Sequence, residues 1–320
     1  MRKNSAATAA PIYVSILMVL LALSGSLLSL TTNTRPDDVL FSAIILELFI
    51  YMIPAAFWCR IRGLDFIEAS GAKLFAPSNT PFILSAFFVY AFGSMFLLFL
   101  SVSPDSSSTT SMALELIDEA DSALISLCYV VIPAISEEML FRSILLHEYR
   151  EWKGMWALTI TSLFFAMLHF SFSSFIYFFW GGFMLGLLTL VTHSSIPAII
   201  LHMISNFVTL YFSDTISNFL SSVENSVVLV FLLSVFFLLS LYFLASTLQT
   251  LYEKKSEEYD EGTLKGSRID AIKKLSKAGR LEKSKKPDIP AICATARDMF
   301  LSPTVLIAIC VFVFIALDVI

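Results

Sequence analysis

The sequence predicts an all-α polytopic transmembrane helix bundle, and three observations carry that prediction. Apolar residues make up 57% of the 320 and charged residues only 15%, with a mean hydropathy of +0.80. Soluble domains carry about a quarter charged residues, so the solvent for which this chain is built is hydrocarbon. The apolar residues gather in runs of about 18 or more, long enough as helices to cross a core of about 30 Å. Finally, the basic residues sort to one side of those runs.

Nine runs qualify as spans: 12–30, 39–58, 81–103, 122–147, 155–172, 174–192, 196–213, 226–252 and 303–320. The first follows Arg2 and Lys3 as a signal peptide would, but it exceeds the usual h-region and no A-x-A site follows it. It therefore reads as an uncleaved anchor. With the N-terminus cytoplasmic, nineteen of the 21 basic residues fall in cytoplasmic segments; only Arg35 lies outside, and Arg142 lies within a span. The positive-inside rule thus supports nine spans, or eight if the short pair over 155–192 is miscounted. It puts the C-terminus outside, in an integral multi-pass protein expected in the cell membrane. The acidic loop at 104–121 then falls outside, which is compatible but carries little weight.

The chain divides accordingly into a membrane bundle over 1–252, a charged cytoplasmic segment over 253–302, and a C-terminal transmembrane helix over 303–320. The charged segment opens with Glu253-Lys254-Lys255-Ser256-Glu257-Glu258, a mixed-charge stretch that reads as disordered. Within it, Ile269, Ile272 and Leu275 recur at helical spacing beside basic residues, which suits an interfacial helix on anionic lipid or, equally, a solvated linker helix. Membrane lipid is an expected partner, and nucleic acid is not. No repeat is visible, which weighs against an inverted-repeat transporter. The 30 Phe and 11 Gly describe closely filled or lipid-facing helices rather than a glycine-rich pore. Cys59, Cys128, Cys293 and Cys310 show no C-x-x-C spacing, so neither a disulfide framework nor a zinc knuckle is readable. Cys128 reads as a small core hydrophobe rather than a nucleophile.

Charge at bilayer depth costs about 2.5–3.5 kcal/mol per residue even on the mildest insertion scale, so it is seldom kept without a use. The strongly polar side chains that stand out within the spans gather on three of them. The fourth carries Glu137, Glu138 and Arg142; the fifth carries Phe165 and His169; the seventh carries His202 and Asn206. At 100° per residue Arg142 lies about 40° from Glu138 but about 140° from Glu137, so the i, i+4 ion pair belongs to Glu138. Glu137 is left without a neutralising partner on its own helix, the condition under which a carboxylate serves as a general base near neutrality. Asn206 is one turn beyond His202, on the same face. At 1.5 Å per residue from the cytoplasmic helix ends, Glu137 lies about 15 Å deep, His202 about 9 Å, Asn206 about 15 Å and His169 about 21 Å. The first three agree, and His169 comes out too deep.

A carboxylate, two imidazoles and an amide inside a membrane suggest activation of water and stabilisation of an oxyanion. Glu137, assisted by His169, would take a proton from water; the hydroxide would attack a peptide carbonyl; His202 and Asn206 would hold the resulting oxyanion. Glu138 and Arg142 would orient the helix.

Glu-Glu-x-x-x-Arg, Phe-x-x-x-His and His-x-x-x-Asn, in that order on spans four, five and seven, resemble the motifs of the CPBP family of intramembrane proteases, also called the Abi family. That family includes the CAAX prenyl endopeptidases and bacteriocin-processing and self-immunity proteins. The resemblance covers about 125–215 and implies a catalytic core at about 122–213. It implies catalytic positions at Glu137, His169, His202 and Asn206, with Glu138 and Arg142 as the supporting pair, Phe165 completing the second motif, and a glutamate-activated water. No cofactor is expected from the residues themselves. Members have also been classed as metalloproteases, and zinc on Glu137, His169 and His202 is the chemical alternative, a His₂Glu set with an open position.

Other intramembrane protease chemistries lack their residues. His147-Glu148 is not followed by His at 151, where the chain has Glu151, and no G-x-S-x-G or Gly-Asp motif is present. The rival from another class is a non-catalytic membrane protein, either a proton-coupled transporter or an immunity protein that acts by binding. For the protease, the substrate would be a membrane-associated peptide or protein, lipidated or not.

Overall fold

The computed structural model describes residues 2–29, 36–63, 65, 71–100, 120–149, 154–223, 226–265 and 299–317. Among these residues the chain is helical, with no strand. Its helices are α1 (Arg2–Ser29), α2 (Pro36–Arg62), α3 (Thr80–Phe99), α4 (Ser122–Glu148), α5 (Gly154–Met167), α6 (Phe175–Thr192), α7 (Ile196–Ser222), α8 (Ser226–Lys265) and α9 (Pro303–Ala316). Six are long and apolar enough to cross a membrane: α2, α3 with its preceding turn, α4, α6, α7 and α8. Three shorter apolar helices, Ala9–Ser24, Gly154–Met167 and Pro303–Ala316, lie where the sequence places spans one, five and nine. The all-α polytopic bundle is therefore the observed class, in an integral membrane protein.

Local chemistry sets the helix ends. Asp121 caps α4 by accepting from the backbone N–H groups of Ala123 (2.7 Å) and Leu124 (3.1 Å). Ser302 does the same for α9 through Val305 N–H, with Pro303 at the first helical position, where its missing N–H costs nothing. Helix α2 begins with Asp37 and Asp38 and ends with Arg60 and Arg62, each sign at the pole of the helix dipole that favours it. Two buried hydroxyls of α5 are satisfied along their own helix: Thr161 donates to the carbonyl of Ala157 and Ser162 to that of Leu158.

Helix α4 is central. It packs against α2 on one flank and α7 on another, while α5 and α6 form a hairpin against its second half. Helix α3 pairs with α8, and α1 with α9. Trp180 of α6 lies over Gly93 of α3, where a Cβ would run into its indole, and its Nε1 donates to the Tyr90 carbonyl at 3.3 Å. At their C-terminal ends α2 and α4 meet in a two-pronged ion pair, Arg62 Nε to Glu148 Oε1 at 2.9 Å and Nη2 to Oε2 at 2.5 Å. These two helices thus run parallel, as alternating spans two and four must.

Three expectations change. Helix α5 stops at Met167, so the fifth span does not run as helix to 172 and His169 is not on it. A reversal over 168–174 follows, with Phe170 in the left-handed region at φ 49°. Helix α8 continues past 252 to Lys265, through the stretch read as disordered, since Glu and Lys are good helix formers. Helix α4 also contains two wide π-helical turns, Leu127–Val131 and Met139–Leu145, on either side of the α-helical segment Ile132–Glu138. The interfacial helix proposed around 267–275 and the acidic loop at 104–119 lie outside the described residues.

Candidate active site

The site is assembled around Glu138. Its side chain, fully buried, accepts from Arg142 Nε through Oε2 at 2.9 Å and from His202 Nδ1 through Oε1 at 3.2 Å. The first bond is the i, i+4 pair the spacing predicts. The second joins α4 to α7 and had no signal in the sequence. Because Nδ1 of His202 donates to the carboxylate, Nε2 is the ring atom left to face a substrate. To donate to an oxyanion from Nε2 the ring must carry both protons.

Phe165 organises the other side. Its ring lies 5.8 Å from the His202 ring, 5.0 Å from the His169 ring and 5.2 Å from Phe141, and the Arg142 guanidinium sits 4.9 Å above it. Gly182 of α6 permits this position, since a Cβ there would come within 3.1 Å of the Phe165 ring. Arg142 Nη1 and Nη2 are buried without a hydrogen-bond partner, so the ring face beneath the guanidinium supplies much of its remaining stabilisation.

His169 stacks on Phe178 at 3.6 Å with 21° between the planes, and its Nδ1 donates to the Phe165 carbonyl at 2.9 Å. A carbonyl only accepts, so this bond fixes the tautomer and leaves Nε2 as the acceptor. These contacts account for the depth at which His169 was expected. Phe165 lies about 16 Å along α5 from its start, whereas Arg142 and His202 lie about 9 Å from the corresponding ends of α4 and α7. Ring contact among the three requires α5 to be shifted or inclined by about 7 Å relative to its neighbours, part of which the long side chains take up. His169, just beyond the end of α5, is brought down with it.

Glu137 is half-buried on α4, and its Oε2 is buried without a hydrogen-bond partner. No hydrogen bond joins it to His169 among the described residues. Asn206 is half-buried on α7, one turn beyond His202. Among the described residues, Glu137, His169 and His202 do not come together as a three-donor metal set, and no other His, Cys, Asp or Glu group of that size does. The ring nitrogens His169 Nδ1 and His202 Nδ1 are both committed elsewhere.

Glu47, which no sequence motif marks, also belongs to this neighbourhood. It lies within the second span, half-buried on α2, and Ser136 Oγ donates to its Oε1 at 2.9 Å. Glu47, Glu138 and Arg142 are the charged neighbours of Glu137. The cost of intramembrane charge, applied to every span alike, would have found it. Ser136 and Gly182 carried no comparable signal.

A protein-family match fits this arrangement of helices and side chains. Residues 119–208 match the family described as type II CAAX prenyl endopeptidase Rce1-like. The likeness to that family is confined to this segment. The Rce1-like segment runs from just before the Asp121 cap of α4 to just beyond Asn206 on α7, so it contains all three motifs. It agrees with the resemblance drawn from them. At the family level this likeness supports a CAAX-type intramembrane protease, a hydrolase in a membrane environment that acts on a peptide or protein. Helices α1, α2, α3, α8 and α9 lie outside the match. No curated protein and no solved structure is similar enough to the chain to match it.

Proposed function

We propose that the protein is an intramembrane endopeptidase that cleaves a peptide bond of a membrane-associated peptide or protein by glutamate-activated water. The observation that carries this reading is the division of labour on α4. Glu138 is occupied by Arg142 and His202, while Glu137 beside it keeps a buried oxygen with no partner. A carboxylate oxygen kept unpaired in a bundle costs stability unless something else binds there, and a water is the smallest donor that could.

In this reading Glu137 takes a proton from that water, with His169 Nε2 as a second acceptor, and the hydroxide oxygen bonds to the carbonyl carbon. The carbonyl π pair moves to oxygen, and His202, as imidazolium, and Asn206 donate to the oxyanion. Collapse expels the amine, which takes the proton Glu137 had held. A positioned general base is worth about 10² to 10⁴ in rate and one oxyanion donor about 10² to 10³. Glu138 acts through His202 by fixing its ring, and Arg142 neutralises Glu138.

The termini follow from charge: N-terminus cytoplasmic, C-terminus outside, with the site reached from the cytoplasmic half of a cell membrane. The test is cleavage-site mapping, comparing the peptides released by wild-type and Glu137→Ala membranes. Glu137→Ala, His169→Ala and His202→Ala are each expected to abolish the cleavage while the proteins still insert. Retained cleavage in any of them overturns that residue's role, and a solute flux abolished at Glu137 would favour transport instead. Metal analysis of the purified active protein decides whether zinc takes part.

A further inference from the structure

Three side chains in a row on α4 point three ways. Segment Ile132–Glu138 is α-helical, so Ser136 and Glu138 lie about 200° apart around the axis, with Glu137 about 100° from each. Glu138 is held from one flank by His202 of α7. Ser136 is held from the other flank by Glu47 of α2, through the 2.9 Å bond from its Oγ, which is shorter than the 3.2 Å contact of the same hydroxyl with the Pro133 carbonyl on its own helix. Glu137 projects between the two grips.

The segment is bounded by the π-helical turns Leu127–Val131 and Met139–Leu145, and such turns are frequently found at functional sites. Each widens the helix locally, so the direction in which the 136–138 side chains point is not the one a continuous α-helix would give them, and contacts from neighbouring helices bear on it. Placing a carboxylate in the middle of an otherwise apolar span is a costly way to join two helices, since many apolar pairs would pack as well. What a carboxylate adds is a directional bond with a fixed length.

Resting on the protease reading above, we propose that Glu47 is a positioning residue of the same site. By accepting the Ser136 hydroxyl proton, it fixes the rotation of the 136–138 turn and so the direction in which Glu137 meets its water. The Arg62–Glu148 pair ties α2 to α4 at their ends, and the Glu47–Ser136 bond ties them again about 20 Å further along, which sets α2 in register with the catalytic turn. Glu47 itself touches no substrate.

The experiment compares Glu47→Ala, Ser136→Ala, Glu47→Gln and the Glu47→Ala/Ser136→Ala double variant in proteoliposomes, with a peptide substrate identified from the cleavage map. A misplacement of about 1 Å costs on the order of 10²-fold in rate, so Glu47→Ala and Ser136→Ala should each lower kcat by about that factor while KM changes by less than about twofold. The double variant should lose no more than either single one, because both remove the same bond. Glu47→Gln keeps an acceptor oxygen of the same reach and should retain kcat. Unchanged kcat in Glu47→Ala, multiplied losses in the double variant, or a Glu47→Gln as impaired as Glu47→Ala would each overturn the proposal. If wild type releases no more peptide than Glu137→Ala, the protease reading fails by itself. The grip is then judged by cross-linking Glu47→Cys with Ser136→Cys through a short bifunctional thiol reagent, whose span replaces the glutamate side chain and its hydrogen bond, in a chain whose four natural cysteines are replaced by serine. An efficient cross-link supports the grip, and its absence overturns it.

Discussion

Replacing Glu138 by Met should separate stability from activity. Both members of the Glu138–Arg142 pair are fully enclosed, and among the described residues the guanidinium makes no second ion pair: Nε goes to Glu138, Nη1 and Nη2 are without hydrogen bonds, and Glu137 is a charged neighbour but not a bonded one. Removing the carboxylate leaves a buried cation with no bonded counter-charge, set against the Phe165 and Phe141 rings, with Glu137 as the nearby carboxylate that remains. Breaking a buried pair in this way costs about 3–5 kcal/mol, whereas replacing both members by apolar residues of similar volume is often neutral or stabilising. The Glu138→Met/Arg142→Met variant should therefore recover most of what Glu138→Met loses, a coupling of about 3 kcal/mol in a double-mutant cycle. Reversible unfolding in lipid–detergent mixtures, by denaturant or by proteolytic susceptibility, measures it. Cleavage should behave differently. His202 Nδ1 loses its acceptor in both variants, so activity should fall in the single one and stay low in the stable double one. Additive stability losses, with a coupling below about 0.5 kcal/mol, would refute the electrostatic account. Activity restored in the double variant would refute the role of Glu138 in holding His202.

Three further variants probe the packing around the site. Gly182→Val puts methyl groups where Phe165 lies within 3.1 Å of a Cβ, so it should cost about 1–3 kcal/mol and reduce cleavage, read by unfolding and by turnover. Phe178→Ala removes the ring stacked 3.6 Å from His169; turnover should fall while KM holds, and Phe178→Tyr should keep both. Arg62→Ala takes a partly exposed cation away from the buried Glu148 carboxylate at the helix ends; stability should drop by about 1–3 kcal/mol, with turnover per folded molecule within about twofold of wild type.

Much of the fold is legible in the chain because the bilayer makes it so. A span must satisfy its own backbone and be apolar over its whole length, which writes each helix into a contiguous stretch of sequence. Among the described residues each predicted span falls on a helix, although α1 begins ten residues before its span, α7 runs nine past its span and α8 runs thirteen past. The fifth was overrun because 168–172, Leu-His-Phe-Ser-Phe, is apolar enough to continue a helix, and hydropathy does not see a turn. The Glu138–Arg142 pair was legible for a similar reason: i, i+4 partners share a face wherever a helix forms, and the pair survives even though a π-helical turn begins between its members.

Glu47 shows the opposite case. Its charge was visible in the second span, but its partner Ser136 is 89 residues away, and only the docking of α2 on α4 brings them together. The same holds for Glu138 with His202, 64 residues apart, and for Phe165 lying between two histidines and an arginine.

By itself, then, the sequence determined the membrane bundle, the order of the spans, the three polar motifs and which glutamate pairs with Arg142. Each of these depends on composition or on spacing within one helix. Only the tertiary structure decided that Glu138 also holds His202, that His169 sits on a turn beyond α5, and that Glu47 reaches the catalytic helix. These depend on how far each helix is rotated about its axis and slid along it. Helices packed among lipid and one another settle that phase and offset through contacts between distant parts of the chain, and no local pattern records them.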